Sequence, residues 1–483
     1  MRYCHFRQLG TFSRLLVGAS VLGLGVAGGC KDDHAGTHGS RFEALSVIGG
    51  PGSTPGTFTI PRAIATDGRF LYVVDKSARI QKLDPDSGKC LAWWRTPISE
   101  LGKPTGLTIA PAPPPVVRGN ARVPGLAAGT NVLYVADTHY NRVLIYPLAP
   151  EGDDGAAGKS GSSGSGSSGS GSSGSGSSGS GSNGSGSSGS GSSGSGSSGS
   201  GSSNSDSGGP GGGQGGGPAA IASLDFTGGG PAESHPPILA QFGGYGTDPG
   251  RFIYITDVAV LLAADGKTVE RLYTTEYGGN DRMQCFDGEF TPMWQVGSMG
   301  ASETAEKIEM DRPQVVEIDM AKRELLLTDT RNHRIGRFTL DGALVKWFGS
   351  PAITGPADGG FRYPWSIYQM GDGTALVVEF GNNRISRVDL ENGAILETMG
   401  EPGRLTGQFA SPWTICGIGD RLFVVDLGNN RVQSLKRPPN RAMVDASEKD
   451  GRNLGAKGRG PRAAGAQSAT EESQERIMQS VGG

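Results

Sequence analysis

One frame returns six times along this chain and constrains its fold more than any other feature. An alternating apolar run ends in a carboxylate, a short polar turn follows, and an arginine opens a second alternating run. The copies are RFLYVVDKSARIQKL (69–83), NVLYVADTHYNRVLIY (131–146), RLYTTEYGGNDRMQCF (271–286), ELLLTDTRNHRIGRF (324–338), TALVVEFGNNRISRV (374–388) and RLFVVDLGNNRVQSL (421–435). Period-two alternation on either side of a polar turn predicts a β-hairpin. A unit this small cannot bury its apolar face alone, so units that recur in frame are expected to stack against one another.

Two further signatures complete the unit. Ahead of the hairpin stands a short run entered through a Gly-Phe turn and usually a proline, as in GTFTIPRAIA (56–65), GRFIYITDVAV (250–260), GFRYPWSIY (360–368) and GQFASPWTI (407–415). Proline suits the first position of a strand, where its missing N–H costs no ladder bond. After the hairpin a last run ends in an apolar residue plus glycine: AQFGG (240–244), WQVGS (294–298), VKWFGS (345–350), ILETMG (395–400). Four strands per unit predict the blade of an all-β, six-bladed propeller. The sixth copy stops near Arg437 without its last strand, while FEALSVIGGPG (42–52) matches ILETMGEPG (395–403). Residues 41–49 are therefore expected to complete the last blade and close the ring, which removes open sheet edges.

Composition enters where the frame breaks. The chain has 83 glycines in 483 residues, many of them in a GSSGSG run from about Gly158 to Ser203. Nothing there can bury apolar area to offset backbone ordering, so disorder is expected. The third strand of blade 2 ends near Leu148 and its fourth resumes at 238, which makes residues 149–237 an insertion within one blade. Extending one turn to that length costs on the order of 2.5 kcal/mol in loop closure. The propeller is thus expected over 41–436, with a disordered tail over 437–483.

The units resemble NHL repeats, through the elements G-x-F-x-x-P, Y-V-x-D and N-x-R-[IV]-Q. Blade 3 departs from the pattern, with Ile255 in place of proline and Glu276 before a longer turn, and blade 1 has Ala78 where asparagine is usual. At the N-terminus Arg2, Arg7 and Arg14 precede LLVGASVLGLGVAGG, too short and glycine-rich for a comfortable membrane span. The ending AGGC resembles the lipobox of bacterial lipoproteins. That resemblance implies a signal peptide over 1–30, acylation of Cys30, and an exported protein held at the cell envelope by its lipid, with Lys31 favouring the outer membrane. The remaining Cys90, Cys285 and Cys416 have no CxxC spacing and read as buried small hydrophobes.

Chemistry should sit where the copies differ. The repeated carboxylates (Asp75, Asp137, Glu276, Asp329, Glu379, Asp426) and arginines (Arg79, Arg142, Arg282, Arg334, Arg384, Arg431) read as structural, because a catalytic group is not needed in every blade. The position after the proline varies: Arg62, Thr105, Thr256, Gln314, Trp365 and Trp413. With Asp257, this ring is the candidate ligand surface; alternatively Trp365 and Trp413 pack together and plug the channel mouth. NHL-type propellers include amidating lyases whose zinc-binding histidines follow that proline, but here none of the six positions is histidine, and His139 and His333 lie in turns. Propeller lactonases hold calcium with acids along the channel, where Asp257 and Glu317 are the acids this sequence offers. No catalytic residue, metal site or cofactor is assigned. A balance of 44 Lys and Arg against 47 Asp and Glu offers no basic patch for nucleic acid. The expected function is that of a monomeric binding or scaffolding module for a protein, peptide or small ligand at the channel mouth; the alternative is a metal-dependent hydrolase or lyase using the same mouth.

Overall fold

The computed structural model describes residues 43–114, 117–118, 121–122, 126–148, 231–352 and 360–441. The expected signal peptide with Cys30, most of the insertion and most of the tail lie outside the described residues.

Strand β1 (Ala44–Ile48) comes first in the chain. Blade 1 follows as β2 (Pro61–Thr66), β3 (Leu71–Asp75), β4 (Arg79–Leu83) and β5 (Cys90–Arg95). Blade 2 begins with β6 (Gly106–Pro111), passes through a small hairpin of β7 (Val117–Arg118) and β8 (Ala121–Arg122), and continues with β9 (Asn131–Asp137), β10 (Arg142–Pro147) and β11 (Ala240–Gly243). Blade 3 is β12 (Tyr254–Leu262), β13 (Val269–Tyr277), β14 (Arg282–Asp287) and β15 (Pro292–Val296). Blade 4 is β16 (Pro313–Asp319), β17 (Glu324–Asp329), β18 (Arg334–Thr339) and β19 (Leu344–Gly349). Blade 5 is β20 (Pro364–Gln369), β21 (Thr374–Glu379), β22 (Arg384–Asp389) and β23 (Ile395–Met399). Blade 6 holds β24 (Pro412–Ile418), β25 (Arg421–Asp426) and β26 (Arg431–Lys436).

Each blade is a four-stranded antiparallel sheet, and in blade 6 the fourth strand is β1, with Ile48 opposite Val432 and Val47 opposite Gln433. The first strands neighbour one another in the circular order β2, β6, β12, β16, β20, β24 and back to β2. They line the axis of a six-bladed propeller. The apolar faces of the alternating strands meet in the clefts between blades. Leu133, Val135 and Leu144 of blade 2 pack on Tyr72, Val74 and Ile80 of blade 1, and Leu376, Val378 and Ile385 of blade 5 pack on Leu422 and Val424 of blade 6. Each such side chain is worth about 1.5–3 kcal/mol when fully buried.

The glycine ending the fourth strand has a steric role. Gly49, Gly243 and Gly400 sit at positive φ, and a Cβ at any of them would fall within 2.7 Å of the ring of Phe58, Phe252 or Phe409 in the next Gly-Phe turn. The two signatures recognised separately in the sequence are one contact between blades.

Residues 231–237 of the insertion and 437–441 of the tail are among the described residues. Residues 231–237, assigned to the insertion, lie against blade 1: the Trp93 indole N–H donates to the Pro231 carbonyl at 2.8 Å, and Arg95 pairs with Glu233 at 3.0 Å. The first tail residues lie on blade 5, where Arg441 pairs with Asp389 at 2.6 Å and Arg387 donates to the Pro439 carbonyl at 3.0 Å. No alternation announces these stretches, because a single parallel bridge between Glu233 and Trp93 and isolated side-chain contacts hold them rather than an extended strand.

Candidate functional site

The repeated polar residues form an inter-blade framework. In every blade the carboxylate closing the second strand pairs with the arginine opening the third, at 2.5–2.9 Å. The guanidinium reaches on to carbonyls of the loop arriving from the preceding blade: Thr57 for Arg79, Arg251 for Arg282, Glu309 for Arg334, Gln408 for Arg431. The carboxylate accepts N–H groups of the same loop, as Asp426 does from Ala410 at 2.8 Å and Asp329 from Asp311 at 2.7 Å. Burial nevertheless pushes Asp137 and Asp329 up to about 6, with their arginines opposing the shift.

A second latch explains the residue before the arginine in four copies, Asp281, His333, Asn383 and Asn430. Asn141, His333, Asn383 and Asn430 occupy the left-handed region, where asparagine is tolerated. In the loop before the first strand, Ile60, Arg312, Tyr363 and Ser411 also have positive φ, a strained choice before proline. Their N–H groups donate to a side chain of the preceding blade: Ile60 to Asn430 (2.7 Å), Arg312 to Asp281 (2.6 Å), Tyr363 to His333 Nδ1 (3.0 Å) and Ser411 to Asn383 (2.7 Å). The strained backbone is paid back across four of the six blade boundaries, where the repeat is structural.

The ring after the proline is packed shut. Trp365 and Trp413 have ring centroids 3.8 Å apart and are each 1 % exposed. The Arg62 guanidinium lies 5.9 Å from the Trp413 ring and its Nη1 donates to the Lys103 carbonyl at 3.5 Å. Burial pushes Arg62 down to about 10, with Tyr277, Arg312 and Asp75 adding smaller effects. Thr256 Oγ1 donates to the Pro313 carbonyl at 3.0 Å, and Thr105 Oγ1 to the Thr256 carbonyl at 3.0 Å. Gln314 is buried, and the Thr275 hydroxyl donates to its carbonyl at 3.3 Å. At this level contacts run from each blade to its neighbour around the ring.

One step deeper the side chains are smaller and leave a cavity of about 240 Å³ on the axis, bounded by first strands of all six blades. Of the candidate ring Asp257 and Thr105 line it, joined by Glu317, Thr108, Ser366 and Thr414. Met320, 55 % exposed, stands at its rim, at the opposite end of the first strands from the tryptophans. Asp257 is 8 % exposed and accepts the Val316 N–H at 3.2 Å, which sets it beside Glu317 on the next blade. Gly106 makes room for it, since a Cβ there would lie 2.8 Å from Asp257 Oδ1. Burial, then the Glu317 charge, raise Asp257 well above the usual carboxylate range, while the Val258 and Val316 N–H groups oppose the shift. Burial pushes Glu317 up to about 7. Sequence position had singled out both acids. It missed Ser366 and Gly106, whose parts are an unused hydroxyl and an absent side chain.

No protein-family model matches the chain, and no curated protein matches its sequence. Among solved structures, a luciferin-regenerating enzyme is similar at 11 % identity and TM-score 0.44, over 82 % of this chain and 95 % of that one. A catalytically inactive virginiamycin B lyase from Staphylococcus aureus, solved with quinupristin, is similar at 11 % identity and TM-score 0.40, over 82 % and 99 %. A protein of unknown function from Bacteroides thetaiotaomicron is similar at 12 % identity and TM-score 0.42, over 82 % and 73 %. The likeness is remote, and nothing about ligand or reaction carries over from it.

Proposed function

We propose that this chain is an exported NHL-type propeller, anchored through Cys30, that acts as a binding module and takes a small ligand into its axial cavity from the Met320 side. The NHL reading draws on the six in-frame copies of the motif. Export and anchoring draw on the arginine-flanked apolar leader and AGGC. The binding reading rests on one observation. The six repeated carboxylates each have an arginine partner, whereas Asp257 and Glu317 line the cavity without a cationic side chain paired to either among the described residues. Buried carboxylates without a counter-charge cost stability, and their placement on the axis suits a ligand that supplies what the protein does not. Arg62, Thr256, Gln314, Trp365 and Trp413 then form the floor that closes the far end.

A thermal-shift screen of small polar metabolites tests this. Hits are expected to raise Tm, and Val315→Phe, which fills the cavity from its wall, is expected to abolish the shift while the variant stays folded. Hits unaffected by Val315→Phe would place binding elsewhere. The hydrolase reading draws on the same pair, since a carboxyl group that holds its proton near neutral pH is a general acid; lactone or ester hydrolysis lost in Glu317→Gln would put that reading first.

A further inference from the structure

We propose that the axial cavity binds a primary ammonium ion, its N–H donors shared among the carboxylates of Asp257 and Glu317 and the hydroxyl of Ser366, with its alkyl stem against Ile109, Val260 and Val315. The inference rests on the binding-module reading and names the ligand class.

Charge is the first argument. Asp257 on β12 and Glu317 on β16 line the same cavity, the Val316 N–H next to Glu317 donates to Asp257, and the Glu317 charge raises the cost of ionising Asp257. A cation between them relieves the repulsion and replaces the missing counter-charge at once. Donor count is the second. Ser366 is 4 % exposed, lines the cavity, and its hydroxyl makes no hydrogen bond to the described protein. That hydroxyl opens onto the cavity, where a ligand's donor can reach it. With one oxygen from each carboxylate it can meet the three donors of an ammonium group. A guanidinium carries five donors in a plane and would leave some facing Val260 and Val315. Calcium takes about six to eight oxygens, and among the described residues no three or more His, Cys, Asp or Glu side chains converge as a metal site would need. Size is the third. About 240 Å³ exceeds the roughly 150 Å³ cavity that holds benzene in an engineered protein core, enough for a compact alkylamine.

The same geometry links binding to pH. The Glu317 charge acts on Asp257 and on the Tyr368 phenol, which Cys416 also influences and whose ring lies 5.6 Å from the Arg437 guanidinium. The cavity-lining residues of β2 and β6 contribute no titratable group. With Glu317 near 7, the cation displaces a proton that the pair holds at pH 6 and has lost by pH 8.

Isothermal titration of the mature chain with n-butylammonium, 1-butanol and butanoate, in buffers of different ionisation enthalpy, tests the proposal. Expected are binding of the ammonium alone, an affinity about tenfold higher at pH 8 than at pH 6, and release of about one proton at pH 6. Glu317→Gln and Asp257→Asn are each expected to weaken binding by about 10–100-fold, with unfolding curves showing both variants folded. If 1-butanol binds as well as the ammonium, or if the ammonium binds without pH dependence and indifferently to Glu317→Gln, the proposal is overturned while the binding-module reading stands. Calcium binding stoichiometrically and excluding the ammonium overturns it as well. If none of the three probes binds and the metabolite screen gives no hit, both readings fall.

Discussion

His333 stands where three other copies carry asparagine, and it works as an acceptor: its Nδ1 takes the Tyr363 N–H across the boundary between blades 4 and 5. A protonated imidazole has no acceptor nitrogen, so the latch exists only with neutral His333. Burial, aided by Arg362 and Arg331, pushes the group down to about 4 from 6.5. The unfolded chain therefore takes up a proton that the native state refuses, and stability is fully present above about pH 6.5 and lost as pH falls toward 4. Asp137 and Asp329 have the opposite sign. Raised to about 6 from 3.8, they hold protons in the fold that the unfolded chain releases, so their contribution declines as pH rises through that window. A difference measurement isolates the histidine. His333→Asn is expected to match the parent in urea stability at pH 8 and to exceed it by roughly 1–3 kcal/mol at pH 4.5; equal stability at both pH values would show that the latch carries no weight.

Among elements, the hairpin of each blade is bound to its incoming loop by a buried ion pair rather than by strand pairing. In blade 6, Arg431 bonds Asp426 at 2.7 Å and reaches the carbonyls of Arg404, Leu405 and Gln408. Arg431→Met strands the Asp426 carboxylate and frees those carbonyls, at an expected cost of about 3–5 kcal/mol at pH 7. Adding Asp426→Asn should recover part of the loss, because no buried charge then remains. A loss under about 1 kcal/mol in equilibrium unfolding would mean that solvent reaches the pair. The pattern was legible in the sequence because it is local: carboxylate, turn and arginine lie within seven residues in every copy. The latch between blades was not. The groups it joins, Ile60 and Asn430, lie at opposite ends of the fold's chain and meet only once the blades are arranged in a circle.

Over the whole molecule, β1 covers an edge that would otherwise expose the N–H and C=O groups of β26 along with Val432 and Leu435, both fully buried. A domain beginning at Gly50 is expected to melt at markedly lower temperature and to aggregate, as seen by calorimetry and light scattering. A peptide spanning residues 42–50 should restore its melting temperature in trans. A truncated domain as stable as the parent would show that the other strands suffice. The sequence by itself determined the sheets, their order and the repeated ion pairs, because alternation, turn residues and close-spaced charges act over short stretches and recur. Only the tertiary structure decided what occupies the axis. Trp365 and Trp413 face each other rather than solvent because blades 5 and 6 are neighbours. The space beyond them exists because six different first strands bring small residues to the same depth. Asp257 and Glu317 share that space, and Ser366 turns an unused hydroxyl into it, through distances that no single strand encodes.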